Sequence, residues 1–246
     1  MGIIKNSMVT SPQIEQFLID LKHFISQSLS LDDLKISLKS DSSPVTHIDT
    51  AISNFCKNHP VCTASFYSEE EHGGLQFPAI VLDPIDGTKE LVKMNGECVV
   101  SIAWMKNSSE GEALIYNPFT GFRLTSFDRP SWNPKNQEVP YLGLVSRSEI
   151  NSMRDLKDFK HLLVAKGSIA FKLGLLASGG CDFVVSLKPK SIWDIAAGTL
   201  MGWQRGHVFY SNGRLVKELD EKRYEPPLVW GRPAVVSEIN HYFSSR

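Results

Sequence analysis

The chain has 246 residues, of which 42% are apolar and 22% charged, a composition typical of a globular protein with a sizeable core. Its formal charge of −1 argues against wholesale binding to a nucleic-acid polymer or to an anionic membrane. The apolar runs have the length of strands, so we expect no membrane span, and the N-terminus shows no export signal. The four cysteines are dispersed without zinc spacing, which predicts reduced core thiols and a cytoplasmic protein.

The N-terminal half, residues 1–130, is predicted to contain two helices and a mainly antiparallel sheet. One helix opens at Ser11-Pro12 and carries apolar residues at helical spacing, and a second helix covers residues 46–58. Strands are predicted at residues 62–67, 78–82, 97–105, 113–116 and 122–126, the last two as a hairpin.

The C-terminal half, residues 131–246, is predicted to be a layered α/β unit that follows a proline-rich connector at residues 128–140. Strands at residues 141–145, 162–165, 182–186 and 207–210 alternate with helices at residues 149–159, 168–177 and 192–204. Alternation of this kind places helices against a sheet. The two halves together therefore predict a protein of the α+β or layered α/β class.

The segment Asp83-Pro-Ile-Asp-Gly-Thr88 is the stretch most informative about chemistry. An apolar strand runs into two acidic residues, and the proline between them stiffens the turn. The two carboxylates and the carbonyl of Ile85 can converge on one hard cation, while free N–H groups of Gly87 and Thr88 at a helix start can accept a phosphate oxygen. An ordinary surface turn uses the same residue types, so other acidic residues must decide between the two readings.

Further acidic positions are candidates for the same site. Glu69 and Glu70 follow a predicted strand, where a solvated loop is the plain alternative. Asp49 and Asp194 each stand near the start of a predicted helix, where a carboxylate is also favourable because of the helix dipole. No one of these positions identifies a metal site by itself.

Taken in order, these motifs resemble those of the lithium-sensitive, magnesium-dependent phosphatases typified by inositol monophosphatase. The two signatures of that family resemble residues 83–88 and Trp193-Asp-Ile-Ala-Ala-Gly198, and the resemblance runs from about residue 39 to the C-terminus. It implies an αβαβα sandwich, the sugar-phosphatase fold, with two or three Mg²⁺ ions. The metal ligands implied by the resemblance are Glu69, Asp83, the Ile85 carbonyl, Asp86 and Asp194. The catalytic residues implied are Asp49 and Thr88, which orient the attacking water, and Glu70, which assists at the metals.

Within that family, several segments resemble the CysQ-type 3′(2′),5′-bisphosphate nucleotidases. These segments are residues 43–46, 87–91, 95–97, 145–148 and 167–168, the last followed by Lys172. The substrate contacts implied are Gly87, Thr88, Lys89, Ser146, Gly167, Ser168 and Lys172. The chain departs from that branch at Glu149, where a His is usual, and at Ser186, where an Arg is common; Lys172 also stands one position later than in the best-known members.

The resemblance predicts a Mg²⁺-dependent phosphomonoesterase that converts adenosine 3′,5′-bisphosphate to AMP and phosphate. Glu149 and Ser186 motivate an alternative in the same class, the hydrolysis of an inositol phosphate or another sugar phosphate. A catalytically idle binding module is the alternative from a different class, and the full set of presumed ligands argues against it. The expected partner is a small phosphate ester, with no nucleic-acid polymer and no membrane, and a monomer is favoured over a homodimer.

Overall fold

The structure, a computed structural model, describes residues 8–28, 36–38, 44–71, 73–129, 140–153, 156 and 158–244. Its first elements are helix α1 (Ser11–Ser28), the antiparallel pair of strands β1 (Ile36–Leu38) and β2 (Pro44–Thr46), and helix α2 (His47–Asn58). The helices α1 and α2 are amphipathic, because apolar residues at helical spacing, among them Phe17 and Ile52, are buried on one face.

A five-stranded sheet follows along the chain. Its strands are β3 (Ser65–Ser68), β4 (Ala79–Asp86), β5 (Val99–Met105), β6 (Gly111–Tyr116) and β7 (Arg123–Thr125), and helix α3 (Thr88–Val92) lies between β4 and β5 in the chain. The strands β3 and β4 are parallel, and the other neighbouring pairs are antiparallel. Every residue of β4 and β5 is buried, since helices cover both faces of this sheet.

A six-stranded mixed sheet forms from the C-terminal part. Its strands are β8 (Leu142–Ser146), β9 (Leu162–Lys166), β10 (Phe183–Ser186), β11 (Val208–Ser211), β12 (Arg214–Val216) and β13 (Leu228–Gly231), in the spatial order β12–β11–β13–β10–β8–β9. The helices of this part are α4 (Ile169–Ser178), α5 (Ile192–Gln204) and α6 (Pro233–Ser244). Since β8, β9 and β10 are parallel, their carboxyl ends meet at one edge of the sheet.

These elements stack in five layers. One face of the first sheet packs on α1 and α2. Its other face packs on α4 and α5, which lie between the two sheets and share one core with both, and α6 covers the outer face of the second sheet. This αβαβα arrangement confirms the predicted fold class. The division of the chain into halves at residue 130 stays a prediction.

The helix predicted over residues 149–159 is wrong. Among the described residues of this segment there is a short 3₁₀ helix at Ile150–Met153, and Asp158 has a positive φ of 62°, a backbone conformation that does not continue a right-handed helix. Residues 154, 155 and 157 of that segment lie outside the described residues, as do residues 130–139 of the predicted connector. The sequence analysis also missed β1, β2, β12, β13 and α6.

The cysteines behave as predicted. All four are free and buried, which confirms the expectation of core thiols. Among the helices within the described residues, none has both the length and the apolar character needed to cross a membrane. The monomeric state and the cytoplasmic location stay predictions.

Candidate active site

A bulge in β4 places two carboxylates on the same face of the first sheet. Val81 faces α4 and α5, whereas Leu82 faces α1 and α2, so regular alternation would put Asp83 and Asp86 on opposite faces. However, the three steps from Asp83 to Asp86 pair with only two steps of β5. The extra residue reverses the alternation, and both carboxylates point toward the layer of α4 and α5.

Asp86 is held from the start of α4. Its Oδ2 accepts a hydrogen bond from Ser168 Oγ at 2.6 Å and another from the N–H of Ala170 at 2.5 Å. The same Ser168 hydroxyl accepts a hydrogen bond from the N–H of Phe171 at 2.9 Å and so caps the helix. The orientation of Asp86 is therefore set by the C-terminal part of the chain.

Gly87 makes the turn from β4 into α3. Its φ is 96°, which side-chain-bearing residues rarely adopt, and a Cβ there would lie 3.0 Å from the carbonyl oxygen of Glu97. The turn brings the Thr88 hydroxyl within 3.2 Å of Asp49 Oδ1 and 3.0 Å of the Ile85 carbonyl oxygen. Asp49 is only 1% exposed, in the first turn of α2. The structure thus brings together the predicted catalytic pair of Asp49 and Thr88.

Glu69 reaches the same edge of the sheet from β3. Because β3 and β4 are parallel, their carboxyl ends lie side by side, and the Glu69 N–H donates to the carbonyl of Leu82 at 3.1 Å. The Glu69 carboxylate lies close enough to Asp83 to raise the pKa of that carboxyl. Glu70 is half-buried beside it, with its N–H directed at Ser68 Oγ at 3.4 Å. The role of Glu70 stays a prediction.

Asp194 comes from α5, in the layer between the sheets. Its Oδ2 accepts a hydrogen bond from the N–H of Ser191 at 2.7 Å, which stabilises the start of the helix. One turn further along, Gly198 allows α4 to approach closely, since a Cβ there would lie 2.3 Å from the Cβ of Leu173. In this packing, ligand atoms of Asp83, Asp86 and Asp194 all lie within 4.8 Å of one another.

The carboxylate cluster of Asp83, Asp86 and Asp194 is electrostatically unfavourable without a counter-charge. Burial first, and then the neighbouring carboxylates, raise the pKa of Asp83 well above its ordinary value. Asp83 Oδ1 is buried and has no hydrogen-bond partner among the described residues. Mg²⁺ prefers carboxylate oxygens, and a cation here would satisfy both the orphaned oxygen and the excess negative charge. The residues present therefore fit a divalent cation, with Glu69 and the Ile85 carbonyl close by.

A lysine beside this cluster was missed by the sequence analysis. Burial raises the pKa of Asp194 to about 6, although Lys190 acts in the opposite direction. Burial would lower the pKa of Lys190, but Asp194 and Asp86 raise it overall, so its ammonium group lies within their field. The available sequence signal was a basic residue directly before the Ser191 helix cap.

Several predicted substrate contacts are bonded to protein groups in this structure. Lys172 is 1% exposed; its Nζ donates to Ser146 Oγ at 3.1 Å, and burial lowers its pKa to about 8. The N–H of Gly167 donates to Glu97 Oε2 at 2.7 Å. The roles of Gly87, Thr88, Lys89, Ser146, Gly167, Ser168 and Lys172 as substrate contacts stay predictions.

Glu149 and Ser186, two of the positions at which the chain departs from the nucleotidase branch, contact each other. Glu149 is 2% exposed, and its Oε1 accepts hydrogen bonds from Ser186 Oγ at 3.1 Å and from the N–H of Leu187 at 2.9 Å. The Glu149 carboxylate also acts to raise the pKa of both Lys172 and Lys190. Glu149 and Ser186 are therefore bonded to each other, and the Glu149 carboxylate offsets the positive charge of Lys172 and Lys190 beside the carboxylate cluster.

Comparison with known proteins identifies the family. The model of the inositol monophosphatase family matches residues 6–201. The chain belongs to the inositol monophosphatase family. Its members are metal-dependent phosphatases, which agrees with the carboxylate cluster found at the end of β4.

Two of the named relatives are 3′(2′),5′-bisphosphate nucleotidases. The 3′(2′),5′-bisphosphate nucleotidase CysQ of Buchnera aphidicola is 27% identical over 225 residues, which covers 79% of this chain and 84% of that protein. The CysQ of Escherichia coli (strain K12) is 29% identical over 204 residues, covering 72% and 80%. A solved IMPase/NADP phosphatase, complexed with Mg²⁺ and phosphate, matches the fold with a TM-score of 0.77 at 16% identity, covering 95% of this chain and 94% of that one.

Proposed function

We propose that this protein is a Mg²⁺-dependent phosphomonoesterase that hydrolyses adenosine 3′,5′-bisphosphate to AMP and phosphate. The observation that carries the proposal is the convergence of Asp83, Asp86 and Asp194, whose ligand atoms lie within 4.8 Å of one another around an orphaned buried oxygen. Such a cluster costs stability unless a cation fills it, and a cation at a phosphatase site attracts a phosphate ester.

The chain's own residues divide the work of hydrolysis. Asp83, Asp86, Asp194, Glu69 and the Ile85 carbonyl would hold Mg²⁺. When bound, Mg²⁺ makes a water more acidic and offsets negative charge on the phosphoryl oxygens.

The Asp49–Thr88 pair positions the attacking water. The Thr88 hydroxyl donates to the buried Asp49 carboxylate at 3.2 Å. The hydroxyl oxygen is thereby oriented to accept a hydrogen bond from the water that attacks phosphorus, and Asp49 favours the transfer of proton density away from that water. Water adds to phosphorus, the ester oxygen leaves with a proton, and inorganic phosphate and an alcohol result.

The nucleotide preference is supported by the CysQ relatives, which are named for it and are 27% and 29% identical to this chain. A second candidate is an inositol phosphate or another sugar phosphate. It is favoured by Glu149 and Ser186, which put a carboxylate and a hydroxyl in contact where the nucleotidases commonly have a His and an Arg. We propose that in either case the partner is a small phosphate ester and that the protein acts on it as a monomer.

The test is release of phosphate from adenosine 3′,5′-bisphosphate and from inositol 1-phosphate, side by side, with Mg²⁺ and then with EDTA. We expect Mg²⁺-dependent release with a clear preference for the nucleotide. A preference for inositol 1-phosphate would keep the metal chemistry and reject the nucleotide. Binding of either ester without Mg²⁺-dependent release from any would favour the idle binding module.

A further inference from the structure

A buried carboxylate outside the carboxylate cluster accepts hydrogen bonds from three residues of the C-terminal part. Glu97 lies two residues before β5, in the N-terminal part, and its side chain is 9% exposed. Arg147 donates to it through Nε at 2.9 Å and through Nη2 at 2.5 Å. Lys166 Nζ donates at 3.0 Å, and the N–H of Gly167 donates at 2.7 Å. These bonds lower the pKa of Glu97 although burial alone would raise it, so the group is an anion with a full set of partners.

The position of these donors follows from the second sheet. Lys166 ends β9 and Arg147 follows β8, and the register of this parallel pair aligns Lys166 with Ser146. Glu97 therefore binds the carboxyl edge of the second sheet from the first sheet. These hydrogen bonds connect the two sheets at the edge where the carboxylate cluster lies.

The hydrogen bond from the Gly167 N–H connects Glu97 with the carboxylate cluster. The residue after Gly167 is Ser168, whose Oγ donates to Asp86 Oδ2 at 2.6 Å, and the N–H of Ala170 donates to the same oxygen. Glu97 thus fixes the backbone at Gly167, and the next residue along fixes Asp86. The side chains of Glu97 and Asp86 need not touch for one to set the orientation of the other.

We propose that Glu97 is a positioning residue for the metal site, acting through the Gly167–Ser168 turn on Asp86. The inference rests on the proposed function, because it takes Asp86 to be a metal ligand. Residues that orient metal ligands commonly contribute a factor of roughly 10–100 to metal affinity or activity. The half-exposed charges of Arg147 and Lys166 serve in this arrangement to hold the Glu97 carboxylate in place.

The experiment compares Glu97→Gln with Asp182→Asn, a matched control at the opposite end of the second sheet. Asp182 is also a buried carboxylate that binds an arginine, Arg232 at 2.9 Å, and a backbone N–H, that of Leu142 at 2.8 Å. For each protein, the melting temperature is measured across a Mg²⁺ titration, and kcat is measured at low and at saturating Mg²⁺.

We expect both variants to melt lower than the wild type in EDTA. Only Glu97→Gln should need more Mg²⁺ for half of its stabilisation, by roughly tenfold or more, and saturating Mg²⁺ should restore most of its kcat. A Glu97→Gln protein with the wild-type Mg²⁺ midpoint would overturn the positioning role. A wild type without any Mg²⁺ response would overturn the proposed function itself, and the positioning role with it.

Two further variants guard against a fold defect in Glu97→Gln. Arg147→Gln removes the partner that supplies two of the donors, from a side chain that is 46% exposed, and should raise the Mg²⁺ midpoint in the same direction by a smaller factor. An unchanged midpoint in that variant counts against the proposal. The double variant of Glu97→Gln and Ser168→Ala should have a midpoint no higher than that of Ser168→Ala, because both changes act on one path; additive effects would place Glu97 on another path.

Discussion

Replacing Asp194 by Asn should stabilise the metal-free protein at neutral and alkaline pH. Burial raises the pKa of Asp194 from 3.8 to about 6, which corresponds to about 3 kcal/mol of free energy lost when the group ionises in the native state. Because the folded-state pKa is the higher one, this loss is absent below pH 3.8, grows as the pH rises toward about 6, and is complete above it. Asn keeps an oxygen for the Ser191 N–H and removes the charge.

The assay is thermal unfolding of both proteins at pH 4, 6 and 8, with EDTA and with millimolar Mg²⁺. In EDTA at pH 8 we expect the variant to melt higher by up to roughly 6–12 °C, since 1 kcal/mol corresponds to roughly 2–4 °C for a protein of this size. The difference should vanish near pH 4. With Mg²⁺ the advantage should shrink or reverse, because the wild type gains about 2.7 kcal/mol at a hundredfold excess over its Kd. A variant that melts lower by the same amount at every pH would refute this reasoning and leave Asp194 as a helix cap.

Other predictions concern single steps of the chemistry and the turn. Asp83→Asn should lower kcat by at least roughly a thousandfold while the fold stays intact by circular dichroism; near-normal turnover would exclude Asp83 from the site. Thr88→Val should lower kcat by roughly 10²–10⁴ while the Mg²⁺ response of melting stays, and Thr88→Ser should retain activity. Gly87→Ala should cost at least roughly 1–2 kcal/mol by urea unfolding, and more than Gly206→Ala, because both have positive φ but a Cβ meets protein atoms only at Gly87. Equal costs would show that the contact near Glu97 relaxes freely.

The carboxylates of the site could be predicted because each is marked by local sequence. The strand that ends in Asp83-Pro-Ile-Asp86 carries its turn chemistry with it, and Asp194 stands at the third position of a capped helix. Both signals need only a few neighbouring residues. Their convergence was expected from the family resemblance, since no local pattern states which strand end faces which helix start.

What sequence could not supply depends on partners distant in the chain. Glu97 is bonded to residues 50, 69 and 70 positions away, and nothing in its own neighbourhood predicts a buried, fully bonded carboxylate. The wrong helix at residues 149–159 has a related cause. Its first residue, Glu149, is buried and bonded to Ser186 and Leu187, so tertiary contacts, and not local helix preference, set the backbone there.

The bulge in β4 makes residue count a functional quantity. One extra residue between Asp83 and Asp86 is what turns both carboxylates inward, so the spacing carries information that the identities of Pro84 and Ile85 do not. If the same three-residue spacing were held in a regular strand without the bulge, one of the two carboxylates would turn into the apolar layer against α1 and α2, and the cluster would be lost. The register of β4 against β5 therefore decides whether the two carboxylates share a face.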